Sequence, residues 1–141
     1  MSSANEELIT RALAGKVWAV AGANADPERY GYKVWRALRE HGYTVYPLNP
    51  SLGELEGDRC YPSIADVPAR PDVLAMVVNP RAGITVMEDA ARAGVPCVWL
   101  QPGTRSDEIR DFATRHGIEL VEDCVLRQLR GRSSEDQTRR N

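Results

Sequence analysis

What this 141-residue chain lacks excludes several function classes at once. Its N-terminus, MSSANEELITRALAGK, is acidic in part and carries no long apolar core, so it reads as neither a secretion signal nor a membrane span. A cytoplasmic location and no membrane partner are the expectation. Charge of one sign is also lacking: 18 basic and 20 acidic side chains leave a formal charge of -2, which gives no general attraction to nucleic acid. An anionic ligand must then be held by local geometry. Cys60, Cys97 and Cys124 are odd in number and far apart, which argues against a disulfide framework and a C-x-x-C zinc site. They read as free thiols, and no metal site is expected.

Reactive groups are scarce as well. The two histidines, His41 and His116, each directly precede a glycine, as expected for partners of a helix C-terminus rather than catalytic bases. No carboxylate pair, metal-ligand cluster or nucleophile–base arrangement is legible, so the chain is not expected to be an enzyme and no catalytic residue is nominated. Internal repeats and heptads are absent too.

What is present is an alternation. Apolar runs of strand length occur at 17–21 (VWAVA), 43–48, 73–78, 96–100 and 118–121, without the in–out pattern of a half-exposed strand. Such runs suit strands covered on both faces. Helical periodicity lies between them: Tyr30, Val34, Ala37, Leu38 and His41 share one face, as do Ile84, Met87 and Ala91, and then Ile109, Phe112 and Ala113. Three helices end at EHGYTV, RAGVPC and RHGIEL, each with a glycine placed for a left-handed cap and a strand directly after it. The expected fold is α/β: a Rossmann-like, doubly wound, mostly parallel five-stranded sheet with helices on both faces, over residues 1–130. Residues 131–141 lack apolar side chains and are expected to be a disordered polar tail. The polar, proline-rich 53–72 stretch is expected to be a surface connection with at most a short helix near 63–67.

Polar–Pro pairs stop the strands at Asp26-Pro27, Asn49-Pro50, Asn79-Pro80 and Gln101-Pro102. Proline cannot continue a central strand, so these stops alone require no ligand. Asp26 and Asn79, each followed by proline, also suit helix N-caps. All four loops share the carboxyl edge of the sheet, where open α/β folds bind ligands. Gly22 lets backbone approach a pyrophosphate, and the following helix points free N–H groups at it. The second and third glycines of G-x-G-x-x-G are missing, and YPLNPS supplies neither the carboxylate that NAD requires nor an arginine for NADP. An NAD(P)-binding oxidoreductase is the opposed alternative. A receiver-like signalling domain needs clustered acids after the first strand, where only Asp26 stands.

The ordered segments VWAVAGANADPERYGYKVWRALREHGYTVYPLNPSLGELEGDRCYPSIADVP, DVLAMVVNP, GVPCVWLQPGT and GIELVEDC resemble the small stand-alone CoA-binding proteins, from about Glu6 to Arg130. Those are similar to the Rossmann-like first domain of the succinyl-CoA synthetase alpha subunit. The resemblance implies coenzyme A or acyl-CoA as ligand, with no ligase chemistry, because the phosphorylated histidine of that enzyme lies in a separate domain. It implies Gly22, Ala23 and Asn24 at a phosphate-facing turn, with Arg29, Tyr30 and Gly31 at the following helix start. It puts Asn49 and Pro50 beside the adenosine, Val78, Asn79 and Pro80 in the third loop, and Gln101 and Gly103 in the fourth. Cys124 matches a cysteine common after the last strand, a buried small hydrophobe or a thiol facing the pantetheine. The chain departs from the family at Asn24 and Gly31, where serines are usual, and at Asp123, where a basic residue is common. A regulatory or interaction subunit that keeps the fold without the ligand is the further alternative, and no protein partner is implied.

Overall fold

A computed structural model describes residues 3–140. Five strands form one parallel sheet: β1 (Val17–Ala21), β2 (Thr44–Leu48), β5 (Val73–Met76), β6 (Cys97–Leu100) and β7 (Glu119–Glu122). Their spatial order is β2-β1-β5-β6-β7, so the winding reverses between β1 and β5. In register, Ala21 faces Leu48 on one side and Met76 on the other. The carboxyl ends of β1 and β5 therefore flank the crevice where a doubly wound sheet opens.

Alternate residues of each strand feed two separate cores. Trp18, Val20, Val73, Ala75 and Trp99 pack with α1 (Ser3–Ala14), α2 (Tyr30–Glu40) and α5 (Val125–Arg140). Ala19, Ala21, Leu74, Met76, Val98 and Leu100 pack with α3 (Pro80–Ala93), α4 (Asp107–His116) and a 3-10 turn at Ile64–Asp66. Because both faces are covered, both phases of each strand must be apolar, as the lack of in–out alternation in the sequence implied. Trp18, Trp35 and Trp99 are wholly buried, and truncating any of them costs about 3–5 kcal/mol.

Several local expectations are modified. The inward face of α2 is Gly31, Tyr32, Val34, Trp35 and Leu38, while Tyr30 and His41 are exposed. In α3 the buried residues are Gly83, Met87 and Ala90, with Ile84 and Ala91 half-buried. Asn79 does cap α3, its Oδ1 accepting from Ala82 N, but Asp26 does not cap α2. The Asp26 Oδ1 accepts from Glu28 N in a turn, and Arg29 becomes the N-cap without a side-chain bond. Gly94 and Gly117 take left-handed caps at φ 74° and 67°. His41 and His116 place Nδ1 2.8 and 3.0 Å from the carbonyls of Ala37 and Phe112, at the ends of their helices.

The 53–72 connection is more structured than a surface loop. It forms an antiparallel ribbon of β3 (Glu54–Leu55) and β4 (Asp58–Arg59) and buries Leu55, Cys60, Tyr61 and Ile64. Tyr32 donates to the Glu56 carboxylate at the ribbon tip, and Arg39 pairs with Asp58 at 3.0 Å. The segment expected to be a polar tail begins at Gly131, inside the span of α5, and residue 141 lies outside the described residues.

Candidate functional site

The strand ends at the reversal point are followed by a loop closed on itself. Gly22 sits at φ +94°, and its N–H donates to Leu48 O at 3.2 Å. A Cβ there would strike Val77 O and lie 2.9 Å from Val78 Cγ1. Gly31, in the first turn of α2, presses so closely on Gly22 that a Cβ would overlap Gly22 O and lie 2.9 Å from its carbonyl carbon. Gly31 thus does the work of a third fingerprint glycine, bringing the helix start against the strand end, at a wider spacing than G-x-G-x-x-G. Between the two, Asn24 Oδ1 accepts from Asp26 N at 2.8 Å, the first of two consecutive side-chain turns.

Asn49 fixes this loop to the next one. Its Nδ2 donates to Ala23 O at 2.8 Å and its Oδ1 accepts from Ser51 N at 2.7 Å. On the other side, the buried Gln101 accepts from Val125 N at 2.7 Å through Oε1, and its Nε2 lies 3.7 Å from Cys124 Sγ. Trp99 Nε1 donates to Asp123 O at 2.7 Å, so the sheet core itself positions the turn that carries Cys124. The Asp123 carboxylate accepts from Cys124 N and Arg127, and is already occupied within its own turn.

Two clefts open along this edge and meet at Val78. The first, about 520 Å³, lies between the Asn49–Pro50 loop, the Pro62–Ile64 segment and α3; Gly22, Leu48 and Val86 are among its walls. The second, about 310 Å³, runs beneath Tyr30 past Val77, Asn79, Gln101, Gly103 and Thr104 to Cys124. An outer depression beyond it is bordered by Arg105, Glu122 and Arg127. The start of α2 stands beside both clefts: Gly31 is packed on Gly22, which lines the first, and Tyr30 lines the second. Its first N–H groups have no side-chain cap, whereas those of α3 and α4 are capped by Asn79 and Ser106.

Of the residues nominated from sequence, Gly22, Asn49, Pro50 and Val78 line the first cleft. Tyr30, Val78, Asn79, Gln101, Gly103 and Cys124 line the second. Ala23, Asn24, Arg29, Gly31 and Pro80 line neither; they shape the loops and helix starts behind the clefts. Sequence reasoning missed Leu48, Ser63, Ile64, Val86 and Asp89, the walls of the first cleft. Part of that signal was available: Ala82, Thr85, Val86 and Asp89 form an i, i+3, i+4, i+7 stripe of α3 that flanks its buried one.

The thiols differ sharply. Burial pushes Cys97 up to about 12, with Glu119 adding to the effect, and burial also raises Cys60. Cys124 is half-buried and open to both the second cleft and the depression beyond it. Both histidines sit at helix C-termini, on the opposite edge of the sheet from the clefts. Glu122, beside the outer depression, is held below the usual carboxylate range by a bidentate bond from Arg110 at 2.8 and 2.9 Å.

Residues 16–130 match the family model of a CoA binding domain. Acetate–CoA ligase [ADP-forming] I of Archaeoglobus fulgidus is 29% identical over 116 residues, a match that spans 75% of this chain but only 17% of the ligase. Among solved structures, a protein from Pyrococcus horikoshii superposes with a TM-score of 0.82 at 35% identity, covering 87% of each chain. One from Thermus thermophilus gives 0.81 at 34% identity, covering 91% of this chain and 97% of its own.

Proposed function

This chain belongs to the CoA-binding domain family, and we propose that it holds CoA or a short acyl-CoA across the carboxyl edge of its sheet without transforming it. The observation that carries this reading is the meeting of two clefts at Val78, beside Gly22 and the uncapped start of α2. A diphosphate at that junction accepts from backbone N–H groups aligned with the helix dipole. The adenosine then occupies the larger, apolar-walled cleft. The pantetheine runs through the narrower one toward Cys124.

An NAD site is less well supported. The end of β2 presents Asn49, whose amide is committed to Ala23 O and Ser51 N, where a ribose-binding carboxylate is needed. The acetate–CoA ligases similar to this chain are several times longer than it, and the match spans 17% of the Archaeoglobus fulgidus enzyme. We place the ligation chemistry outside the matched part. A general base must lie within reach of the reacting atom, and both histidines face the other edge.

Calorimetry with CoA, acetyl-CoA and NADH tests the ligand: CoA and acetyl-CoA should bind with similar affinity, and equal or tighter binding of NADH overturns the reading. Incubation with acetyl-CoA, or with acetate, CoA and ATP, followed by mass spectrometry, tests the absence of turnover. Protein-dependent product that disappears in Cys124→Ala refutes it.

A further inference from the structure

The first cleft is chemically one-sided. Its walls include Leu48, Pro50, Ile64 and Val86, and its polar groups are small and neutral apart from one carboxylate, Asp89. Among the described residues, neither lysine nor arginine lines it. Of the cations near this edge, three have partners of their own, and Arg81, exposed in the first turn of α3, stands outside the lining. Arg59 lies over the Tyr61 ring, Lys33 over the Tyr30 ring, and Arg29 is 3.8 Å from the Asp26 carboxylate. Arg92 bonds Asp89 at 2.8 Å from the side of a different depression, with Ala65 and Pro68.

This composition suits a base and a ribose with free hydroxyls. A phosphate monoester on the ribose is another matter, since it carries about 1.5 to 2 negative charges at neutral pH. Where such a group is recognised, guanidinium or ammonium partners supply charge-assisted bonds. Here it meets apolar walls, small neutral groups and a carboxylate, and keeps its water. The 5'-diphosphate differs, because it lies at the cleft junction, where helix N–H groups face it.

We infer that the site reads the adenosine diphosphate and pantetheine but not the 3'-phosphate, so that dephospho-CoA and related 3'-unphosphorylated ADP conjugates bind at least as tightly as CoA. The inference rests on the CoA reading above and narrows it to a ligand class.

Calorimetry with CoA and dephospho-CoA on the intact protein, at low and at physiological salt, tests it. Dephospho-CoA should show a Kd equal to or below that of CoA at both. CoA binding tenfold or more tightly than dephospho-CoA overturns the inference while leaving the CoA reading intact; failure of both ligands to bind overturns the reading itself. A second variant checks the placement. Ser63→Lys puts a cation on the half-buried wall of this cleft and should shift the affinity ratio about fivefold toward CoA. An unchanged ratio in the folded variant places the ribose elsewhere and overturns the inference.

Discussion

Replacing Gly31 with alanine tests whether the site depends on a backbone contact rather than on a side chain. The new Cβ would overlap Gly22 O and stand 2.9 Å from Gly22 C, where ordinary contact begins at 3.4 Å. Neither partner yields easily. Gly22 is fixed through its N–H to Leu48 O, and α2 is anchored by the buried Val34, Trp35 and Leu38. Overpacking of this kind costs about 1–3 kcal/mol. Alanine returns part of that through helix propensity, at most about 1 kcal/mol and less in the first turn. The net loss is about 1–2 kcal/mol, a fall in Tm of about 3–7 °C for a chain of this size. Relief by moving the first turn of α2 also displaces the N–H groups at the cleft junction. Losing one charge-assisted bond there, about 1.5–3 kcal/mol, weakens CoA tenfold or more. Differential scanning calorimetry and titration calorimetry read the two effects separately. Gly53→Ala is the control, since nothing lies within 4 Å of its Cβ and its φ is not positive; it should leave both values unchanged. A Gly31→Ala protein that melts within 1 °C of the parent and binds CoA equally well refutes the reasoning.

The thiols should separate in an Ellman titration of the native protein at pH 8. Cys124 reacts first and is slowed by CoA, while Cys60 and Cys97 react only on unfolding, because burial keeps both in the thiol form. Equal rates for all three contradict this. Gln101→Ala removes the acceptor of Val125 N and should lower stability by about 1–3 kcal/mol in urea unfolding; an unchanged midpoint speaks against that bond. Acid should expose the Arg110–Glu122 pair. Glu122 has a depressed pKa, so its contribution is full above the ordinary carboxylate range and is lost as pH falls through the folded value. Glu122→Gln should therefore flatten the acid limb of the stability profile, and an identical limb refutes the assignment.

The local sequence was enough to determine the alternation of strands and helices, the covered sheet and the glycine-ended helices. Each depends on residues close in the chain: apolar runs of strand length, periods near 3.6, and glycines at left-handed caps such as Gly94 and Gly117. Asn79 before Pro80 was legible for the same reason. Tertiary structure alone decided the rest. Gly31 looks like a missing serine until α2 is seen resting on Gly22 O, a contact between segments that meet only after the loop closes. Arg29 displaced Asp26 as the cap of α2 because the Asp26 carboxylate is spent on a local turn. The walls of the first cleft come from 48–50, 62–64 and the 82–89 stripe of α3, three segments that no sequence period relates. They converge because the 3-10 turn and α3 pack on one face of the sheet, beside the end of β2 and near the point where its winding reverses.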